Sequence, residues 1–312
     1  MTGTGTENDP YIVSSWTDFI TAVGTANAYI EFPKNLVQTQ DTTVNPDKLY
    51  TDSNGNVKPF PSDSDLPNLY ENTFCLDAND YAPEGFTASI TTDFKSLKGF
   101  GGTIKNIYSN GIPVFKYSSN KSVWYGLIEG IAYLNSFIMN SNLIWTENDI
   151  GYETYTFKLC KFSGKFIETT GSSYYATYVF RGFNRFQQSS FTLDMSGVYF
   201  VSNPYSSLFD RCRFNFLDFN GASESPMYLK LANCYVSGQG TGSYAQIIVV
   251  DGSSYVILDI DVPTISSSSY SSCIVINSDK YSGTVPASAI SATTAQIRST
   301  SYLSSIGFTV QT

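Results

Sequence analysis

The chain has 312 residues with no histidine, and 18 basic against 27 acidic residues give it a net charge of −9. Without imidazole there is no Ser-His-Asp or Cys-His nucleophile system, few catalytic zinc sites and no usual neutral-pH proton shuttle. The acidic balance also speaks against nucleic acid.

Hydrophobic residues make up 42% of the chain, with 22 Phe and 23 Tyr, and only 14% is charged. That composition supplies a core and favours strands and turns over helices. The cysteines Cys75, Cys160, Cys212, Cys234 and Cys273 are odd in number and form no CxxC pair. They indicate neither a disulfide framework nor a zinc knuckle, and read instead as small buried hydrophobes of a chain folded in a reducing cytoplasm. No metal or cofactor is expected. The polar N-terminus lacks the features of a secretory signal, and no apolar run is long enough for a membrane span.

Residues 1–38 read as an N-terminal cap. Tyr11 to Val13 form a short strand, and Ser14 or Ser15 caps a helix that carries Trp16, Phe19, Ile20 and Val23 at helical spacing. Tyr29 to Phe32 return to strand. Residues 39–90 read as an irregular acidic insertion or arm, rich in Asp, Asn and Pro. Its Asp63-Ser64-Asp65 cluster lacks the spacing of a calcium loop and is taken as a solvated turn.

Residues 91–265 carry a recurrence. Core residues return at Ile104, Ile131, Cys160, Phe183, Cys212, Cys234 and Leu258, with gaps of 27, 29, 23, 29, 22 and 24. Periods in this range mark a solenoid, whose repeats bury their apolar faces only against neighbouring repeats. The alternating side chains around these positions make the repeats β. Gly101-Gly102 fits a tight turn and is not a phosphate cradle, because no helix follows it. Residues 266–312 read as a C-terminal linker and cap. One or two short helical turns, ended by Gly307, would place Ile297, Tyr302, Leu303 and Ile306 over the last coil, and a strand from Phe308 to Val310 would close it.

Gly3-Thr4-Gly5-Thr6-Glu7-Asn8-Asp9-Pro10-Tyr11-Ile12-Val13 with Trp16 resembles the N-terminal cap of pectate-lyase-like proteins. Phe94 to Ile107, with its Gly-rich turn and Thr103-Ile104-Lys105-Asn106-Ile107, is similar to that family's first coil. Phe157 to Gly164 and Phe209 to Phe214 resemble its recurrent Cys-x-Phe coil. The resemblance implies an all-β fold, a right-handed parallel β-helix of the kind found on bacterial surfaces and in bacteriophage virions. It further implies a non-enzymatic virion protein, tail-associated or head-mounted, assembled in the host cytoplasm. Its partners would be other virion proteins and a cell-surface glycan or protein receptor, with no nucleic acid or membrane; homotrimeric assembly is a hypothesis the resemblance carries. The alternative is a polysaccharide-degrading tailspike enzyme, a glycoside hydrolase or lyase.

Glycoside hydrolysis needs two positioned carboxylates. Asp259 and Asp261 are the best local pair, because Leu258, Ile260 and Val262 point one way and leave both carboxylates on the outward face. A solvated outer strand is the preferred reading, since nothing flags a positioned partner. Asp210, with Arg211, Arg213, Asp218 and Glu224 nearby, forms the richest charged patch, which stacked ion pairs between coils also explain. For binding, Tyr152, Tyr155, Tyr174, Tyr175 and Tyr178, with Trp145, offer stacking faces and hydroxyls suited to a glycan or protein. Inward aromatic stacks would use the same residues.

Overall fold

The computed structural model describes residues 1–37, 50–51, 57–58, 72–117, 126–146, 155–169, 178–182, 184–201, 207–220, 227–241, 246–249, 256–267 and 274–308. Most of the expected acidic arm therefore lies outside the described residues, as do Tyr152, Tyr174, Tyr175, Glu224 and the expected terminal strand.

Three parallel sheets wrap one interior. Among the described residues sheet A has ten strands, sheet B eleven in its main path and sheet C five, and neighbours within each sheet are successive visits of the chain. One coil shows the path. Gly126–Glu129 lies in sheet A, Ala132–Met139 in sheet B and Ile144–Thr146 in sheet C; the chain then re-enters sheet A at Tyr155–Lys158. Because every coil returns to the sheet it left, each ladder is parallel and its hydrogen bonds run along the solenoid axis. The fold is an all-β parallel solenoid. Its ladders run past the expected coil bounds of 91 and 265, taking in Cys75–Asp77 at one side and Ile290–Ala292 at the other.

Pairing corrects the expected period. Residues 102, 131, 160, 189, 212, 234, 256 and 274 align, giving steps of 29, 29, 29, 23, 22, 22 and 18. Ile104 aligns with Tyr133, and Leu258 with Val236, so both belong to the column two residues further on. Ser189 holds the place assigned to Phe183, which lies outside the described residues. A hydrophobicity criterion passed over this serine.

The turn from sheet A to sheet B explains the column. Gly130, Leu159, Gln188, Arg211 and Asn233 all have positive φ, between 50° and 68°. Four of the five carry a Cβ and pay about 1–2 kcal/mol for that conformation. Ladder bonds hold them there, as Leu159 N donates to Gln187 O at 3.0 Å and Gln188 N to Asp210 O at 2.9 Å. The next residue in each turn is Ile131, Cys160, Ser189, Cys212 or Cys234, and its side chain is directed inward, where only a small or slender group fits.

In-register strands about 4.8 Å apart bring equivalent rings face to face. Tyr133, Phe162, Phe191 and Phe214 stack at 5.1, 5.2 and 4.9 Å with interplanar angles below 10°. Phe157, Phe186 and Phe209 form a second stack at 5.1 and 4.8 Å. Rings approach between the columns edge to face, as Phe186 meets Phe191 at 5.3 Å and 76°.

Helix α1 (Trp16–Val23) covers the N-terminal end. Ser15 caps it by accepting from Asp18 N, and Trp16, Phe19, Ala22 and Val23 are buried against the first coils. At the other end the arrangement differs from the expectation. Tyr281, Val285 and Ala289 pack against the interior, and the Tyr281 hydroxyl accepts from Ile265 N at 3.1 Å. The short helices α2 (Thr294–Ile297) and α3 (Thr300–Ser305) instead lie on the outer face of sheet B. There Ile297 and Leu303 bury Ile257, Val275 and Ala292 in a second, smaller core. The last coils are therefore apolar on both faces.

Candidate functional site

The outer face of sheet A holds a recess. Strand alternation sends Ile30, Leu97, Ile128, Phe157, Phe186, Phe209 and Leu231 inward. Two columns are left outside. One runs Glu31, Lys98, Glu129, Lys158, Gln187, Asp210, and the other Tyr29, Ser96, Leu127, Thr156, Arg185, Leu208. The first alternates in sign over four successive strands. Lys158 pairs with Glu129 at 3.1 Å, and Lys34 reaches Glu31 at 3.4 Å.

The chain's own lead walls this face. Gly3 and Gly5 adopt φ of 86° and 77°, and a Cβ on Gly3 would lie 2.0 Å from Pro10 O. The glycines thus let the lead fold back on itself, and Tyr29 N donates to Gly5 O at 2.9 Å. That return places Glu7 and Pro10 beside Tyr29, Glu31, Lys95, Lys98 and Thr156 around a recess of about 390 Å³. Its lining mixes two carboxylates, two ammonium groups, a phenol and aliphatic hydroxyls. Such a set can hydrogen-bond a hydroxyl-rich or zwitterionic ligand from several sides.

The expected site residues scatter. Asp210 lies in the charged column, three strand spacings (about 14 Å) from Glu129, and its carboxylate meets Arg211 at 3.5 Å. Carboxylates that act together in glycoside hydrolysis stand about 5–9.5 Å apart.

Asp259 and Asp261 do not share a solvated face, which corrects the sequence expectation. Asp259 is 2% exposed, because the segment after Asn277 covers the outer face of sheet B there, whereas Asp261 is exposed. The Asp259 carboxylate accepts from Tyr235 Oη, from Asn277 Nδ2 at 2.6 Å and from Lys280 Nζ at 2.9 Å. Three donors engage its two oxygens, so it ties the cap to the last coils.

Tyr155 is likewise corrected from a surface position to an interior one. Its ring packs on Phe94 at 5.3 Å, its hydroxyl donates to Phe94 O at 3.1 Å, and burial pushes its phenol far above the usual range. Gly126 makes room for that ring, since a Cβ there would come within 2.1 Å of it. Tyr178 is half-buried in sheet C, where its carbonyl accepts from Asn142 Nδ2. Trp145 faces outward from sheet C with Lys116 Nζ 4.8 Å and the Arg181 guanidinium 5.1 Å from its ring centroid.

The alternating column of sheet A was missed in the sequence. Glu129 and Lys158 are 29 residues apart, each two positions before a member of the inward column, and that spacing was the available signal. Glu31 and Lys98 were not legible together, because the intervening insertion breaks the period. Among the described residues no group of three or more Cys, Asp or Glu side chains could hold a metal ion, and no helix is long and apolar enough to cross a membrane. No protein-family model matches this chain, and no curated protein matches it.

Proposed function

We propose that the protein is a non-enzymatic structural and attachment component of a bacteriophage virion, a tail-associated or head-mounted appendage. In this reading the solenoid is a stiff support, and the outer face of sheet A meets a host-surface glycan or a neighbouring virion subunit. The observation that carries the binding half is the recess at Glu7, Tyr29, Glu31, Lys95 and Lys98, where opposite charges alternate in register. Charges of alternating sign cancel over a few ångströms, so such a face favours a neutral or zwitterionic polymer over a strongly acidic one. The virion assignment rests on the resemblance of the lead and coils and on the three long parallel sheets.

Purified protein titrated calorimetrically with host-surface polysaccharide tests the binding. Heat of binding is expected, with Tyr29→Ala weakening it up to about tenfold, the scale of one lost aromatic contact. Reducing ends or unsaturated uronates released in the same mixture would replace this reading with the tailspike-enzyme alternative. Mass spectrometry of purified particles tests the location, and absence of the chain from them would overturn it. A single-protomer mass in sedimentation equilibrium would remove the homotrimer.

A further inference from the structure

We infer that Cys212 and Cys234 are a site of oxidative cross-linking, forming a disulfide between successive coils when the opened chain meets a low-molecular-weight disulfide. The two residues stand directly opposite each other, since Arg213 pairs with Tyr235 in the parallel ladder that follows. Neighbouring strands place such Cα atoms about 4.8 Å apart, inside the 4.4–6.8 Å that a disulfide spans. The sulfur of Cys234 already reaches across the step, accepting from Cys212 N at 3.4 Å.

The rest of the column makes this step distinctive. Its order is Ile131, Cys160, Ser189, Cys212, Cys234, so Ser189 separates Cys160 from Cys212 by two strand spacings, about 9.6 Å. That exceeds the reach of a disulfide. Cys75 is aligned with Thr103 in an earlier coil and is exposed.

Both thiols point back toward the preceding coil, Cys234 Sγ to Phe209 O at 3.2 Å and Cys212 Sγ to Phe186 O at 3.5 Å. Bond formation therefore asks Cys212 to turn about χ1 toward Cys234 and to give up its weak S–H···O contacts. The chemistry balances with oxidised glutathione as the oxidant. One protein thiolate attacks the glutathione disulfide and releases a glutathione thiolate, leaving a mixed disulfide. The second protein thiolate displaces the second glutathione, so one S–S bond forms, one breaks and the two protein protons end on two glutathione thiols. Both cysteines are buried, so exchange needs an open coil, either during folding or in a transient opening. Once made, the link closes a loop from 212 to 234 and fastens coils where the repeat shortens from 29 to 23 and 22 residues.

The test is refolding of the full-length reduced, urea-unfolded chain by dilution into a glutathione redox buffer, followed by non-reducing peptide mapping. The same buffer applied to native protein in sub-denaturing urea is a second arm, which does not depend on refolding. The expected product in both is a Cys212–Cys234 linked peptide, lost in Cys234→Ser and accompanied by a higher urea midpoint than that of the reduced protein. The substitution suits the column, which already accepts Ser189. Recovery of Cys212 and Cys234 as separate thiols or glutathione adducts, or linked to other cysteines, would overturn the inference.

Discussion

At the scale of single residues, the inward turn column is a chain of small acceptors. Cys160 N donates to Ser189 Oγ at 3.1 Å, and Cys212 N to Cys234 Sγ at 3.4 Å. Each of these side chains in turn donates to the carbonyl two residues before it, Ser189 Oγ to Gln187 O at 2.9 Å and Cys234 Sγ to Ala232 O at 3.2 Å. The left-handed residue swings the following N–H away from the ladder into a dry interior, and the next coil's side chain satisfies it. Ser189→Ala is therefore expected to cost about 1–3 kcal/mol in urea unfolding, because it orphans the Cys160 N–H. Ser189→Cys should recover most of that loss; equal stability of the alanine variant and the parent would refute the role. A second residue-level asymmetry lies at Asp259, whose side chain is 3% exposed while that of Lys280 is 39% exposed. Lys280→Met leaves a buried carboxylate short of its counter-charge, whereas Asp259→Asn leaves an ammonium that water can reach. The lysine variant should be the less stable of the two, and the reverse order in thermal melts would contradict this account.

At the scale of elements, the ends of the solenoid differ in how they are held. Helix α1 buries one apolar stripe against the first coils, and the spacing of Trp16, Phe19 and Val23 after Ser15 made it legible in the sequence. The C-terminal helices were legible as helices, but their position was not. Their docking surface is written in Val256-Ile257-Leu258 and Ile274-Val275-Ile276, continuous apolar runs that mean a strand covered on both faces. Reading Asp259 by simple alternation hid that cover. Similar ambiguity affected the tyrosines, since a phenol can join an interior stack wherever its hydroxyl finds a carbonyl, as Tyr155 does at Phe94. Leu303 is fully buried between α3 and sheet B. In a solenoid each coil is stabilised mainly by its neighbours, so damage there should stay local. Leu303→Ala is expected to speed hydrogen exchange in 256–267, 274–277 and 290–308 while protection in 126–146 and 155–166 stays unchanged. Uniform loss of protection along the chain would instead mean that the cap and the first coils unfold as one unit.

The whole molecule is a stack of columns closed to water, and that closure sets its response to pH. Burial pushes the Cys160 thiol up to about 12 and raises Cys212, Tyr133, Tyr155 and Tyr235 above their ordinary values. All five are neutral in the fold. In the unfolded chain thiols ionise near 8.5 and phenols near 10. Because the folded values are the higher ones, the stability these groups contribute is complete below about pH 8.5 and falls as pH rises toward the folded values. The slope is about 1.4 kcal/mol per pH unit for each group that ionises only on unfolding. The acid side is different. Asp18, held at about 2 by its bonds to the Met1 amine and Ser14, and Asp77, lowered by Asn106, contribute stability above pH 4 that is lost as pH drops through their folded values. Both are surface groups open to solvent screening, so their effect is small. The urea midpoint should therefore be nearly flat from pH 5 to 8 and fall steeply from pH 9 to 11. Cys160→Ser should remove one group's share of that slope, since serine does not ionise in this range. A midpoint unchanged up to pH 11 would mean that water reaches the columns, and with it the close stacking that gives the solenoid its stiffness would have to be abandoned.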